Sequence, residues 1–165
     1  MATSVGRLAE RVVESWLEAE GWLCFERNML VPGGEIDRVF VRERRSSGFK
    51  VDLCVAEVKA TRLRDSSQLD PIFCAARMKS LLRPHQVRVL WRTAAAYEQR
   101  LRSLTQSSVR TYVRYFFVIY GEHDQIRRLS VEIKTRQGDL PLRICKVSQQ
   151  ELILAWSPEV NLHPF

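Results

Sequence analysis

Three strand-length runs follow one another between residues 22 and 59, and acidic signatures interrupt two of them. Trp22 to Met29 reads as a first strand, Pro32-Gly33-Gly34 as a turn, and Glu35 to Val41 as a second strand. Arg44-Arg45-Ser46-Ser47-Gly48 reads as a polar hairpin loop, and Phe49 to Lys59 as a third, longer strand. Parallel strands need a crossover of a dozen or more residues, and these connections are too short for one. The segment is therefore expected to be an antiparallel meander packed on whatever helix precedes it.

That helix is legible. Thr3 or Ser4 can cap it, Val5, Leu8, Val12, Trp16 and Ala19 recur at three- and four-residue steps, and Gly21 suits a left-handed end. Glu10 and Glu14 lie four apart and share a face separate from the Leu8–Val12 stripe. Downstream, Asp70-Pro71 opens a helical region to Leu82, and Pro84 opens a second helix to about Leu104 with Val87, Leu90, Trp91, Ala94 and Tyr97 as its stripe. Val113 to Tyr120 is apolar almost throughout, as a strand covered on both faces should be. Leu129 to Ile133 and Leu142 to Val147 read as short strands, and Ser148 with Glu151 as the capping box of a last helix ending near Trp156. With 165 residues and no linker, the chain is expected to be one domain, 1–165, with a core over about 1–120 and an extension over about 121–165.

Alternation places the acids. Glu35 and Asp37 point to one side of the second strand, and Val55, Glu57 and Lys59 share one side of the third. Asp37, Glu57 and Lys59 can therefore converge in one small volume. The opposite side is expected to supply Ile36, Val39, Ala56 and Val58, with a bulge or strong twist needed to bring in Val39. Hard divalent cations such as Mg²⁺ or Mn²⁺ take oxygen ligands, and two carboxylates with waters and a substrate phosphate make a site for phosphodiester hydrolysis. A lysine beside two carboxylates keeps its charge, which favours positioning and charge stabilisation over service as a base. Acid-x-lysine alone also arises in ordinary strands as a weak surface ion pair; here the polar residues cut into strongly apolar runs, and a second acidic signature precedes them.

Charge and composition bear on the partner. Lys and Arg outnumber the acids 26 to 19, a formal charge of +7 and a pI near 9.6. Basic clusters fall at Arg42–Arg45, Arg62–Arg64, Arg83–Arg92, Arg100–Arg102 and Arg127–Arg128. They suit a polyanion such as DNA through counterion release, and charge alone suits a merely solvated basic surface equally well. No apolar run approaches the ~20 residues that span a bilayer, and the N-terminus lacks a secretory layout, so a cytoplasmic protein without membrane contact is expected. Cys24, Cys54, Cys74 and Cys145 form no Cys-x-x-Cys pair, which argues against zinc and redox motifs and for buried reduced thiols.

Gly6-x-x-Ala9-Glu10, Gly21-Trp22, Arg27-Asn28, Gly34-Glu35-Ile36-Asp37 and Ala56-Glu57-Val58-Lys59 follow in order over the first third of the chain. That series resembles the small bacterial YraN-like proteins of the PD-(D/E)XK nuclease superfamily, near archaeal Holliday-junction resolvases. The resemblance implies an α/β fold with a restriction-endonuclease-like αβββαβ core, its mixed sheet flanked by helices, here with extra C-terminal strands and a short helix. It implies a Mg²⁺-dependent endonuclease, with DNA, in branched or structured form, as substrate. By position it makes Asp37 and Glu57 metal ligands, the Val58 carbonyl a further ligand, Lys59 the catalytic lysine and Glu10 the helix carboxylate reaching the site. Glu35 and Gln68 are additional candidates, Glu35 equally suited to a surface role. Ala60 stands between Lys59 and Thr61-Arg62 where the family runs straight on, and the downstream helix opens with His85-Gln86 in place of Lys-Gln.

Two alternatives of other kinds stay open at this point: a binding module without turnover on the same scaffold, and a nuclease acting on RNA. Cutting both strands of a junction would further require a symmetric homodimer.

Overall fold

A computed structural model describes residues 3–44, 50–64, 70–136 and 142–156, with the backbone alone over 71–75. Helix α1 (Ser4–Ala19) begins where the Thr3 hydroxyl accepts the Gly6 N–H at 3.1 Å. It ends at Glu20, after which Gly21 takes φ +87°. Strands β1 (Leu23–Val31), β2 (Gly34–Arg44) and β3 (Lys50–Arg62) form the expected antiparallel meander. The β1–β2 turn is Pro32-Gly33, closed by the pairing of Val31 with Gly34; Gly33 sits at φ +95°, where a side chain would be strained. Residues 45–48 of the expected hairpin loop, and Phe49 of the expected third strand, lie outside the described residues, but Arg44 pairs with Lys50 across them.

Helices α2 (Pro71–Ser80) and α3 (Pro84–Thr105) then carry the chain to β4 (Ser108–Tyr120), which pairs parallel to β3 over its full length. A crossover of this size is what a parallel pair requires. The described residues place β1, β2, β3 and β4 in one sheet in that order, the αβββαβ core with α2 added to the crossover.

The sheet is covered on both faces. On one side, α1 buries Ala9, Val13 and Leu17 against Phe40, Cys54, Ala56, Val58, Phe116 and Val118. On the other, α3 sets Val89, Leu90 and Ala94 against Ile36, Val39, Leu53, Val55, Val113 and Tyr115. Burial on both faces explains why β4 is apolar from Tyr115 to Tyr120 without alternation.

Several expectations are corrected. The inward stripe of α1 is Ala9, Val13 and Leu17 with Glu10; Val5 and Leu8 are exposed, because the helix turns toward the sheet the face that carries Glu10 and Glu14, whose shared partner Arg38 lies on β2. On α3 the buried residues are Val89, Leu90, Thr93 and Ala94, with Val87, Trp91 and Tyr97 only partly covered. Val39 pairs with Val55, so Ile36 and Val39 face α3 while Ala56 and Val58 face α1. Leu129 to Ile133 is no strand but part of α4 (His123–Thr135): Ile126, Leu129 and Ile133 are buried at helical spacing, and Val131 is exposed. Its start is fixed by a reciprocal capping box between Glu122 and Gln125.

The last expected helix is also a strand. After β5 (Arg143–Val147) the chain turns at Ser148, whose N–H donates to Glu151 O, and β6 (Glu151–Trp156) inserts between β4 and β5. Leu152 to Leu154 are fully buried by both faces, which erases any alternation and leaves a run that periodicity cannot separate from a helix. Among the described residues no helix is long and apolar enough to cross a membrane.

Candidate active site

β2 and β3 stay in register as far as Arg38 opposite Ala56 and then part. Asp37 occupies the gap. Its Oδ2 accepts the Val58 backbone N–H at 2.8 Å, so the side chain of one strand replaces the ladder bond that the other strand loses. In the adjoining part of β1, Asn28 adopts φ 46°, a left-handed conformation that Asn tolerates better than most residues. Ile36 and Val39 both face α3 although they are three residues apart, so regular alternation is broken between them, with Arg38 turned toward α1; the register shift of the β1–β2 ladder lies on β1, between Cys24 and Glu26.

Glu57 extends from β3 into the same space and is 3% exposed. Its Oε1 lies 2.5 Å from Lys59 Nζ and also accepts the Gln86 side-chain amide from the first turn of α3. Its Oε2 is buried and finds no hydrogen-bond donor. Burial pushes the Glu57 carboxyl above its ordinary range, against the pull of Lys59. Asp37 is pushed up to about 7, first by burial and then by the Glu57 charge, with Glu10 adding to the effect and the Val58 N–H opposing it. Asp37 and Glu57 are close enough that the charge of Glu57 works against ionisation of Asp37.

Glu10 belongs to a second layer of this arrangement. Its Oε2 is 3.1 Å from Arg38 Nη1 and accepts Asn28 Nδ2 at 3.3 Å. The same Arg38 guanidinium donates to Glu14 Oε2 at 2.8 Å, Asn28 Oδ1 at 3.2 Å and the Asp37 carbonyl at 2.7 Å. Arg27 binds Glu14 from the solvent side at 2.5 Å. Burial works against the Glu14 charge, but the hydrogen bonds from Arg27 and Arg38 outweigh it and hold the carboxyl below its usual range. Arg38, itself 4% exposed, thus locks α1 to β2 directly behind Asp37.

A cleft of about 610 Å³ opens over these groups, lined by Glu10, Asn28, Glu35, Asp37, Glu57, Val58, Lys59 and Gln86, with Thr61, Arg62 and Arg64 along one wall. Of the residues singled out from sequence, Asp37, Glu57, Val58 and Lys59 come together, Glu10 stands behind them, and Glu35 is exposed at the rim. Gln68 lies outside the described residues. Gln86, which keeps the glutamine of the family's Lys-Gln, was given no site role from the sequence; it is 29 residues from Glu57 and stands in the first turn of the helix behind Pro84. Arg38 gave no signal of its own, being a basic residue inside an apolar strand.

The donors suit a hard divalent cation. Two oxygen-bearing side chains repel each other, a buried carboxylate oxygen has no partner, and an exposed cleft gives entry. Among the described residues no three His, Cys, Asp or Glu side chains form a metal cage. Mg²⁺ does not require one, since it commonly keeps several waters and uses one or two carboxylates.

Comparison with known proteins places this geometry in a family. Residues 9–119 match the uncharacterised protein family UPF0102, and no curated protein matches the chain. The matched span runs from α1 through nearly all of β4 and so contains Glu10, Asp37, Glu57, Lys59 and Gln86, while α4, β5 and β6 fall beyond it. With most of its length matched, the chain belongs to UPF0102, the YraN family, whose members are PD-(D/E)XK nuclease-like, and it carries the restriction-endonuclease-like fold.

Proposed function

We propose that the chain is a metal-dependent endonuclease that hydrolyses DNA phosphodiester bonds in the cleft over Asp37 and Glu57. The observation that carries this reading is the pair of mutually repelling carboxyls with one unsatisfied oxygen, beside a lysine, in a basic chain of a nuclease-like family. Asp37, Glu57 and the Val58 carbonyl would hold Mg²⁺ or Mn²⁺. When bound, such an ion polarises the scissile phosphate and makes hydroxide available near neutral pH.

The protein's own groups do the rest. Lys59 sets a positive charge where negative charge grows on the phosphate oxygens. Gln86 and Lys59 orient Glu57 by binding the same oxygen, leaving the other for the ion. The Val58 N–H holds Asp37 in place, and Arg38 keeps Glu10 and Glu14 from swinging. Thr61, Arg62 and Arg64 line the wall along which a phosphate backbone would lie. Branched DNA is the substrate form that the resolvase likeness favours, and cutting it symmetrically would call for two copies of the chain.

The test is incubation with linear duplex, single-stranded and four-way-junction DNA and with RNA, in Mg²⁺, Mn²⁺ or EDTA, alongside Asp37→Ala and Lys59→Ala. Cleavage that needs the ion and is lost in both variants is the expected result. Cleavage that persists equally in both variants would remove the site. Binding without cleavage on every substrate would identify a non-catalytic nucleic-acid-binding module instead.

A further inference from the structure

The outer face of α4 carries a stripe of charge that its own chain leaves largely unpaired. Asp124, Arg128, Glu132 and Arg136 stand four residues apart, alternate in sign and are all exposed. With Asp70, Arg127 and Val131, itself 53% exposed, they line a groove of about 760 Å³. Residues four apart form the ridge by which helices most often pack on one another. The same spacing allows ion pairs within the helix, Asp124 with Arg128 and Glu132 with Arg136. Neither forms: Arg128, Glu132 and Arg136 make no ion pair among the described residues, and Asp124 meets only His123, at 4.0 Å.

This groove does not suit a polyanion. Its lining holds three acids and three arginines, so it lacks the positive excess of the chain as a whole. The order of its signs fits a different occupant, because the stripe complements its own reverse. A second α4 laid antiparallel sets Asp124 of one copy against Arg136 of the other, and Arg128 against Glu132. A two-fold axis then repeats both pairs. Val131, one residue from the midpoint of the stripe, meets its own copy near that axis, an apolar contact inside a charged rim.

We propose that α4 is the surface through which two copies of this chain associate, antiparallel about a two-fold axis, by Asp124–Arg136 and Arg128–Glu132 pairs. The helix has 13 residues and is about 20 Å long at ~1.5 Å per residue. A contact of that length falls short of the ~800 Å² per partner of a standard interface, so the pair is weak and forms at micromolar concentration or above. Leu63 stands between Arg62 and Arg64 of the cleft wall, and its N–H donates to the carbonyl of Tyr120, just ahead of α4, at 2.8 Å. The association therefore sets one cleft beside each end of the helix pair and supplies the two copies that symmetric cutting calls for. It rests on no step of the cleavage chemistry and needs no ion, so its failure and that of the nuclease reading are separable.

The experiment is sedimentation velocity of the full chain in EDTA, without DNA, over a micromolar concentration series. Wild type is compared with Arg128→Glu, Glu132→Arg, the double swap Arg128→Glu/Glu132→Arg, and Asp37→Ala, thermal melting reporting whether each is folded. Wild type is expected to dimerise. Each single reversal turns two attractive pairs into repulsive ones and should raise the dissociation constant about tenfold. The double swap should restore wild-type association, and Asp37→Ala should keep it. Raising salt from about 0.1 M to about 1 M shortens the screening length from ~10 to ~3 Å and should weaken the wild-type dimer. Wild type that stays monomeric throughout overturns the proposal, whether the stripe then serves DNA, another protein or solvent alone. Single reversals that dimerise as tightly as wild type place the contact elsewhere, and a double swap no tighter than the single reversals overturns the two-fold pairing. Should a reversal fail to fold, Arg128→Gln and Glu132→Gln decide in its place: each should weaken the dimer, and unchanged affinity in both sinks the proposal.

Discussion

The Val58 backbone N–H donates to Asp37 Oδ2 at 2.8 Å. The residue between Glu57 and Lys59 is thereby tied to the carboxylate of the neighbouring strand. This contact exists only because β2 and β3 leave register beyond Arg38 and Ala56. The divergence opens the cleft, and the released N–H finds its acceptor in a side chain that the proposed chemistry also uses. The arrangement concentrates acidic charge without neutralising it, and the first prediction follows from that cost.

Asp37 has its carboxyl raised from 3.8 to about 7 by burial and by Glu57. The folded state therefore holds more protons than the unfolded state between these values. Stability contributed by the protonated carboxyl is present below about pH 4 and is lost as pH rises toward 7. Asp37→Asn keeps an acceptor for the Val58 N–H and removes the titrating group. In EDTA, the variant should be more stable than wild type at pH 8 and similar to it near pH 4.5; in Mg²⁺ it should lose cleavage. Urea midpoints at the two pH values check this; a gap that does not grow with pH would contradict it.

Arg38 is the buried tie between α1 and β2. Arg38→Ala leaves Glu10 and Glu14 without their shared cation, and removing one partner of a buried ion pair costs about 3–5 kcal/mol. A denaturant titration should show that loss. Adding Glu10→Gln should recover part of it, since the stranded charge is then gone.

Lys59 and Gln86 share Glu57 Oε1 but should fail differently. Lys59→Ala removes a charge aimed at the reacting phosphate, a loss of about 10²–10³-fold in cleavage rate by analogy with other transition-state donors. Gln86→Ala removes one hydrogen bond to a carboxylate, worth about 1.5–3 kcal/mol at most, and should slow cleavage about tenfold with DNA affinity unchanged. Single-turnover rates with excess enzyme distinguish the two; equal losses would mean that Lys59 only orients Glu57.

How far the sequence could be read depended on what covered each element. β3 keeps strict alternation, with Leu53 and Val55 facing α3 and Cys54, Ala56 and Val58 facing α1, so Glu57 and Lys59 could be set on one side from spacing alone. The Pro32-Gly33 turn was legible for a similar local reason: only a residue tolerant of φ +95° suits its second position.

Long-range packing hid the rest. β6 is buried on both faces, so Leu152 to Leu154 carry no period, and the Ser148–Glu151 pair that suggests a helix cap instead closes a turn through Glu151 O. In α4 the apolar Val131 completed a false alternation with Leu129 and Ile133, although Ile126 three residues before Leu129 already signalled a helix. Arg38 was illegible, and Gln86 was noted beside His85 without a role, because what they do depends on partners 24 and 29 residues away, Glu14 and Glu57.

The central claim is that Asp37 and Glu57 hold a divalent cation, and titration calorimetry with Mn²⁺ tests it without reference to cleavage. Wild type should bind at pH 8, with proton release growing and affinity falling as pH drops below the raised Asp37 value of about 7. Asp37→Ala and Glu57→Ala, folded by thermal melting, should each abolish that binding. Mn²⁺ binding of the same affinity in wild type and both variants, or no binding in wild type with DNA present, would contradict the account.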